Sequence, residues 1–248
     1  MKYIKKFKTH SDYEDYLESQ DYLTPNVSYC VDQNEIHFEK YAPAPETRIV
    51  ATFNVTDTSN PTNIVGYDER SGIYFTSPFS EIEIDGVIQN EVIGYYQFDT
   101  TGEHIVKYTS YDNTLIPEKT FFKCNNLTTI SIPNGVTSIG SNAFYECNKL
   151  SSVSLPNTLV EIDYSGFIGC TSLLSVTIPE SVTTMPSSFQ GCTGLTSITC
   201  LPITPPTIDT LTFSGSDCPI YVPAESVSAY QSASGWSTYA SRIQAIPT

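Results

Sequence analysis

Hydrophobic positions recur at a fixed spacing between residues 116 and 200, where one unit of apolar and polar positions is written four times. Successive copies are 23, 23 and 22 residues apart. The leading columns are phenylalanine (Phe121, Phe144, Phe167, Phe189), cysteine (Cys124, Cys147, Cys170, Cys192) and leucine (Leu127, Leu150, Leu173, Leu195). The unit reads F-x-x-C-x-x-L-x-x-I-x-I-P-x-x-V-x-x-I. Since no single unit can bury its apolar side alone, we expect the copies to stack around a shared core.

Each part of the unit predicts a local structure. The alternation that ends L-x-x-I-x-I is typical of a short strand with alternate side chains buried. A proline follows this strand in three copies and ends it, because proline has no N–H for the ladder. Apolar residues three apart then favour a turn of helix or 3₁₀ helix on the return path. We therefore predict a short right-handed α/β solenoid with a small parallel sheet over residues 114–200.

The strings SIPNGVTSIGSNAFYECNKLSSVSLPNTLVEI and GCTSLLSVTIPESV carry this unit. They resemble the BspA-like leucine-rich repeats of bacterial surface proteins. The resemblance covers about a third of the chain, in seven columns that repeat in phase. It implies the fold and a binding role, and it carries over no catalytic residues.

The segment before residue 43 predicts a small helix-hairpin module over residues 1–42. Ser11 and Glu14 form a capping box, which favours a helix from about Asp12 to Ser19. Strands at 26–30 and 35–38 flank a turn at 32–34 and predict a hairpin. The segment is similar to leading segments of proteins from gut bacteria and their phages, and we predict that it anchors the chain to other protein subunits. A proline-rich linker follows at 41–46.

Residues 47–113 carry only strand signals. The sharpest is Asp85-Gly86 between the alternating runs of 80–88, which predicts a hairpin turn. A second hairpin is expected between 95–98 and 103–108. About six short strands favour an Ig-like β-sandwich, although the Cys…Trp…Cys pattern is missing. The string FDTTGEHIVKYT resembles the β-domain placed before BspA-like repeats, and we expect this domain to cover the first strand edge of the solenoid.

The repeat register is expected to break after Cys200, because Pro202, Pro205 and Pro206 cannot continue a strand ladder. Residues 201–248 are therefore predicted to form a C-terminal cap. It would hold a last strand at 218–222, a helix from Ala224, and Trp236 in its core. The predicted fold class is mainly β, built as a helix-hairpin module, a sandwich, a solenoid and this cap.

Composition excludes several function classes. The formal net charge is −15, and the few lysines and arginines beyond residue 70 are scattered, so no nucleic-acid partner is expected. The sequence contains no run of about 18 apolar residues, so no membrane span is predicted. Residues 1–19 are basic but lack an apolar stretch behind them, so no secretory signal peptide is predicted there, unlike the BspA-like pattern. Either such a signal has been removed, or the chain leaves the cell by another route, such as lysis.

The cysteine column admits a metal site, a disulfide or a buried ladder of thiols. Metal binding is not favoured, because there is no C-x₂-C element and the three histidines lie outside the repeats. A reduced, buried ladder fits a chain without an export signal better than disulfides do. We predict no metal and no cofactor.

The outward strand positions of the repeats are hydroxyl residues. They form the candidate binding face: Thr129, Ser131, Ser152, Ser154, Ser175, Thr177, Ser197 and Thr199. One interpretation is a flat surface that recognises a host protein or a glycan. The alternative is a solvated sheet face that repeats simply because the unit was duplicated.

No catalytic residues are predicted. No serine lies in G-x-S-x-G, and His104 is interpreted as an exposed strand residue rather than a base. Glu81 and Glu83 alternate on one strand face and are expected to be solvated. An enzyme, for instance a glycan hydrolase, would need carboxylates converging in a pocket. We therefore expect a non-enzymatic protein.

Two non-enzymatic roles remain open. The first hypothesis is a structural and binding component of a phage virion, of fibre or decoration type, anchored through residues 1–42. The alternative is a BspA-like adhesin at the bacterial cell surface, or a secreted one, that binds host protein or glycan.

Overall fold

The computed structural model describes residues 27–32, 35–40, 48–68, 73–74 and 78–247. The chain divides into two compact units, Met1–Pro45 and Glu46–Thr248. In the first unit, strand β1 (Val27–Asp32) pairs antiparallel with β2 (Glu35–Lys40). The helix predicted between Asp12 and Ser19 lies outside the described residues. The helix-hairpin module as a whole is therefore not confirmed.

The second unit begins with antiparallel strands. Its long strands are β3 (Ile49–Val55), β7 (Phe79–Ile84) and β10 (Gly102–Ser110). Its short strands are β4 (Thr62–Asn63), β5 (Tyr67–Asp68), β6 (Ile73–Tyr74), β8 (Val87–Ile88) and β9 (Tyr95–Tyr96). The β7–β8 turn is the predicted hairpin, and both Asp85 and Gly86 have positive φ, as a two-residue hairpin turn requires.

The Ig-like sandwich predicted for 47–113 is not confirmed. Strands β8, β7, β10 and β3 instead form one sheet with two solenoid strands, β12 (Leu127–Ser131) and β14 (Ser152–Ser154). The two parts join because β3 pairs antiparallel with β12, which places Thr52 opposite Thr129. Strand β3 thus covers the first edge of the solenoid, as expected from the sequence. Only the two-stranded β4–β9 and β5–β6 ribbons lie outside this sheet among the strands described between residues 48 and 110.

The second predicted hairpin, between 95–98 and 103–108, is wrong. Strand β9 pairs with β4, whereas β10 pairs with β3 on one edge and β7 on the other. Both edges of β10 are therefore hydrogen-bonded to other strands, so the 95–98 segment cannot pair with β10.

The solenoid stacks its strands in parallel, one from each coil. After β12 and β14 come β16 (Ser175–Ile178), β17 (Ser197–Cys200), β18 (Ile220–Val222) and β19 (Ile243–Ala245). Strands β16 to β19 form one four-stranded sheet. The backbone N–H of Leu174 donates to the carbonyl of Ser151 (3.2 Å), which continues the stacking from β14 to β16.

The return path is a second strand ladder rather than the predicted turn of helix. Strands β11 (Leu115–Ile116), β13 (Ser138–Ile139) and β15 (Glu161–Ile162) pair in parallel. Isolated bridges continue this ladder through Thr184 to Thr207. Apolar residues three apart fit both geometries, and here the extended backbone bonds to the next coil. The solenoid is therefore mainly β rather than α/β.

A column of stacked phenylalanine rings runs through the core. Phe121, Phe144, Phe167 and Phe189 stack with ring centroids 4.7–5.2 Å apart and interplanar angles of at most 12°. All four rings are fully buried. The backbone N–H of each donates to the next coil, for example from Phe144 to the carbonyl of Gly166 (2.7 Å). This column confirms the predicted register of the repeats.

The stack continues beyond the predicted end of the solenoid. Phe213 stacks on Phe189, and Trp236 packs against Phe213 at 5.7 Å. Both stand in the phenylalanine column, so the cap contains a fifth and a sixth coil, with strands β18 and β19. The repeat register is interrupted only briefly after Cys200. The segment from Cys200 to Thr207 is one residue longer than the equivalent segment of the preceding coil, and Thr207 then pairs with Thr184.

The only α-helix in the described part of the chain is α1 (Val227–Ser232), which follows a 3₁₀ turn at Ala224–Ser226. A second 3₁₀ segment spans Trp236–Arg242. The cap aromatics hold the proline-rich loop at residues 201–206 in place. The Tyr230 hydroxyl donates to the carbonyl of Pro202, and Trp236 Nε1 donates to the carbonyl of Pro206, both at 2.7 Å.

Candidate functional site

The eight residues predicted as a binding face point outward from the strand ladder. Six are exposed, while Ser197 and Thr199 are half-buried. Their strand neighbours point inward, for example Ile130, Val176 and Ile198, which are at most 3% exposed. This alternation follows from the pleat of the strand, which turns successive side chains to opposite faces. We call these eight residues the hydroxyl face.

The hydroxyl face consists of two parallel rows that cross the strands. Thr129 stands opposite Ser152, and Ser175 opposite Ser197, in the first row. Ser131 stands opposite Ser154, and Thr177 opposite Thr199, in the second. Hydroxyls that stand opposite each other on paired strands are therefore about one strand spacing apart, roughly 4.8 Å.

Both rows extend beyond the residues that the sequence indicated. Tyr221 of β18 pairs with Thr199, and Gln244 of β19 pairs with Tyr221. At the other end, Thr52 and Val50 of β3 stand opposite Thr129 and Ser131. Sequence analysis missed these four positions because they lie outside the four regular repeats. The spacing from Phe213 to Trp236, equal to that between regular copies, could have indicated the later coils.

Most hydroxyls of the face have no protein partner. Within the described part of the chain, only Thr129 among the eight makes a side-chain hydrogen bond, to Thr52 Oγ1 (3.0 Å). By contrast, threonine and serine hydroxyls just outside the rows bond to backbone, as Ser151 does to the carbonyl of Thr128 (3.1 Å). The hydroxyls of the rows are therefore available to solvent or to a ligand.

The hydroxyl face carries no formal charge. Strands β12, β14, β16, β17, β18 and β19 contain no charged residue, although the chain has a net charge of −15. Where the same side of the sheet continues onto β10 and β7, four charges are paired with one another. Arg48 bonds to Glu81 (3.2 Å) and Glu83 (2.8 Å), and Lys107 bonds to Glu83 (2.6 Å).

This paired cluster also corrects the prediction that Glu81 and Glu83 are solvated. Their side chains are only 10% and 14% exposed. The hydrogen bond from Lys107 lowers the pKa of Glu83, and Arg48 lowers it further, while burial acts in the opposite direction. The single positive charges of Arg48 and Lys107 balance the negative charges of the two glutamates, so the cluster adds no net charge to the sheet.

The cysteine column is a ladder of free, buried thiols. The Cys147 thiol donates to the carbonyl of Phe121 (3.0 Å), and the Cys170 thiol to that of Phe144 (3.2 Å). Burial raises the pKa of Cys147 to about 12, so this thiol stays protonated at neutral pH. No group of three histidine, cysteine or acidic residues in the described ranges is placed to hold a metal ion.

His104 is buried, so the prediction of an exposed strand residue is wrong. Its Nδ1 lies 2.7 Å from Asp85 Oδ2 and its Nε2 lies 3.0 Å from the carbonyl oxygen of Thr100. Its ring also packs against Phe98 with centroids 4.2 Å apart. The Asp85 carboxylate additionally accepts the N–H of Ile105 (2.8 Å). His104 therefore fastens the β7–β8 turn to the start of β10.

Two shallow pockets lie elsewhere on the second unit. One, of about 470 Å³, is bordered by Glu180, Ile203 and Thr207 beside the proline-rich loop. The other, of about 230 Å³, is bordered by Asn63, Tyr95 and Asn126. Neither includes a residue of the hydroxyl face. The described helices include none long and apolar enough to cross a membrane.

Stacked coils that each add one short strand to a parallel array, with L-x-x-I-x-I-like strands in the four regular copies, define a leucine-rich repeat solenoid. Its repeats are of the BspA type, because residues 114–221 match the model of the BspA type leucine rich repeat region in six copies. This confirms the resemblance seen in the sequence and extends the repeats past Cys200.

Two solved structures are similar to parts of this chain. A leucine-rich repeat protein from Bacteroides capillosus is 36% identical over 38% of this chain and 65% of its own, with a TM-score of 0.34. A leucine-rich repeat protein from Bacteroides ovatus is 17% identical over 83% of this chain and 60% of its own, with a TM-score of 0.29. The chain thus spans less than two thirds of the length of either. No curated protein matches the sequence.

Proposed function

We propose that this protein is a non-enzymatic binding protein of the bacterial cell surface or of the secreted fraction, which acts as an adhesin through the hydroxyl face. The observation that carries the proposal is the face itself. Two rows of hydroxyls, of which only that of Thr129 bonds to another side chain, stand on parallel strands whose inward side chains are buried or half-buried. The BspA-type repeats support the same role, because such proteins are typically exported or surface-bound.

The scaffold suits recognition because it needs little reorganisation on binding. The coils are tied together through strand pairing, through single backbone hydrogen bonds such as that from Leu174 to Ser151, and through the turns that carry the phenylalanine column. A ligand that lies across the rows would meet side chains already held in register, which reduces the entropic cost of ordering them.

The proposal is tested with a matched pair of variants in one coil, Thr177→Arg and Thr183→Arg. Both threonines are exposed, but Thr177 lies in the hydroxyl face and Thr183 on the other ladder. Beads coated with the full chain would be applied to cultured epithelial cells, and adhering beads counted. We expect Thr177→Arg to abolish adhesion and Thr183→Arg to leave it unchanged. Equal adhesion of both variants would contradict the role of the face.

The virion role, placed first on sequence grounds, is not favoured by the repeat family. It rests on the anchoring role predicted for residues 1–42, and that segment lies largely outside the described residues. The adhesin hypothesis accounts for the BspA-type repeats directly, and we adopt it.

A further inference from the structure

Tyr221 is the only aromatic side chain among the outward positions of the six described solenoid strands. It continues the second row of the hydroxyl face, between Thr199 and Gln244. We propose that the hydroxyl face binds a neutral oligosaccharide, with Tyr221 as the ring against which one sugar stacks. This inference rests on the proposed adhesin function and names the class of ligand for the same face.

The charge distribution favours a neutral ligand. The six solenoid strands offer no cation to pair with sulfate or uronate groups, and the net charge of −15 repels polyanions at long range. They also offer no carboxylate for a cationic partner. On the adjoining strands Arg48 and Lys107 are already paired with Glu81 and Glu83, and the exposed Glu103 of β10 adds a carboxylate rather than a cation. A neutral ligand is therefore the electrostatic complement of this face.

The hydrogen-bonding groups match those of a sugar. A serine or threonine hydroxyl both donates and accepts, and the amide of Gln244 offers both functions as well. Sugar hydroxyls have the same dual capacity. Because each row repeats a hydroxyl at about 4.8 Å, a chain of sugars lying along it would meet a partner at every coil.

A protein ligand fits this face less well. Protein interfaces are enriched in aromatic residues and arginine and depleted in serine. Their affinity depends on a few large buried anchors. Here serine and threonine fill all eight positions of the hydroxyl face, and Tyr221 alone provides an aromatic ring. The composition is therefore opposite to that of a typical protein-binding patch.

Tyr221 is held as a rigid platform. Its neighbours Ile220 and Val222 are fully buried, and its strand pairs on both edges, with β17 and β19. The ring itself is half-buried. An amphipathic ring can cover the apolar C–H face of a sugar while its hydroxyl remains in water. Stacking removes apolar area from water on both partners, which stabilises the complex.

The test uses the full chain on a printed array of neutral oligosaccharides, each beside its sulfated or uronate-containing counterpart. We expect binding to neutral probes and none to the charged counterparts. Tyr221→Ala should weaken binding of the best neutral probe at least about tenfold, whereas Tyr221→Phe, which keeps the ring, should stay within about threefold. Tyr164→Ala is the matched control, since Tyr164 is 51% exposed and lies outside the face.

Thermal melts establish whether Tyr221→Ala is folded. If it is not, Ser154→Arg replaces it, because this variant leaves the ring intact and obstructs the row at an exposed position. The inference is overturned if no neutral probe binds, if charged probes bind better, or if folded Tyr221→Ala or Ser154→Arg binds like the unchanged protein. A further outcome separates the two proposals. If Thr177→Arg abolishes adhesion but enzymatic removal of cell-surface glycans does not, the oligosaccharide ligand is overturned while the adhesin function stands.

Discussion

The stacked phenylalanine column makes a specific stability prediction for Phe144→Ala. The ring is fully buried and stacks on Phe121 at 5.2 Å and on Phe167 at 4.7 Å. Removing it loses a transfer free energy of about 1.5–3 kcal/mol. Each of the two ring contacts adds about 0.5–1.5 kcal/mol. We therefore expect the free energy of unfolding to fall by about 4 kcal/mol, within the range of about 3–5 kcal/mol for Phe→Ala changes in cores.

The assay is urea unfolding followed by circular dichroism and by the fluorescence of Trp236, the only tryptophan. Trp236 packs at the far end of the same column. Circular dichroism therefore reports the strand ladders as a whole, and the fluorescence reports the last coil. The control is Ser152→Ala, an exposed position in the same coil, which should cost less than about 0.5 kcal/mol. Equal losses for both variants would refute the stacked register.

Three further predictions concern the thiol ladder, the charge cluster and the turns. Cys147 should resist iodoacetamide at pH 8 until urea is added. The reason is that burial raises its pKa to about 12, which leaves roughly one thiol in 10⁴ as thiolate. Rapid labelling of the folded protein, detected by mass spectrometry, would contradict this. The pKa of Glu83 is lowered in the folded protein, so its stabilising contribution is present above the ordinary glutamate pKa of 4.5 and is lost as pH falls through the folded pKa. Glu83→Gln should therefore lower the urea midpoint at pH 7 more than at acidic pH, and a constant difference across pH would refute the link. Gly191→Ala should cost about 1–2 kcal/mol, because φ is +73° there while the added Cβ would meet only ordinary contacts, and an unchanged urea midpoint would contradict the left-handed turn.

The repeat register and the hydroxyl face could be predicted because both depend on local periodicity. A strand with period-2 alternation fixes which side chains face inward, so the pattern alone predicts that Thr129 and Ser152 face outward, where the structure has them side by side. The phenylalanine and cysteine columns follow from the same stacking. Duplication repeats the signal in every coil, which makes it stronger than any single strand pattern.

The pairing of distant segments could not be predicted in the same way. The sequence indicates β3 and β10 as strands, but their local patterns do not reveal that β3 bonds to β12 of the solenoid. Nor does the local pattern show that His104 lies between Asp85 and Thr100, because both contacts depend on the fold of neighbouring turns. The sequence predicts Tyr221 on a last strand, but its position beside Thr199 at the end of the hydroxyl face depends on the register across β17 and β18.

The central claim, that this is a binding protein of the cell surface or the secreted fraction, is tested most directly by its location. A source culture would be separated into cell envelope, soluble supernatant, cytoplasm and density-banded particles, and each fraction probed with an antibody against the full chain. The account predicts the protein in the envelope or in the supernatant of intact cells. Co-banding with phage particles, or retention in the cytoplasm, would contradict it.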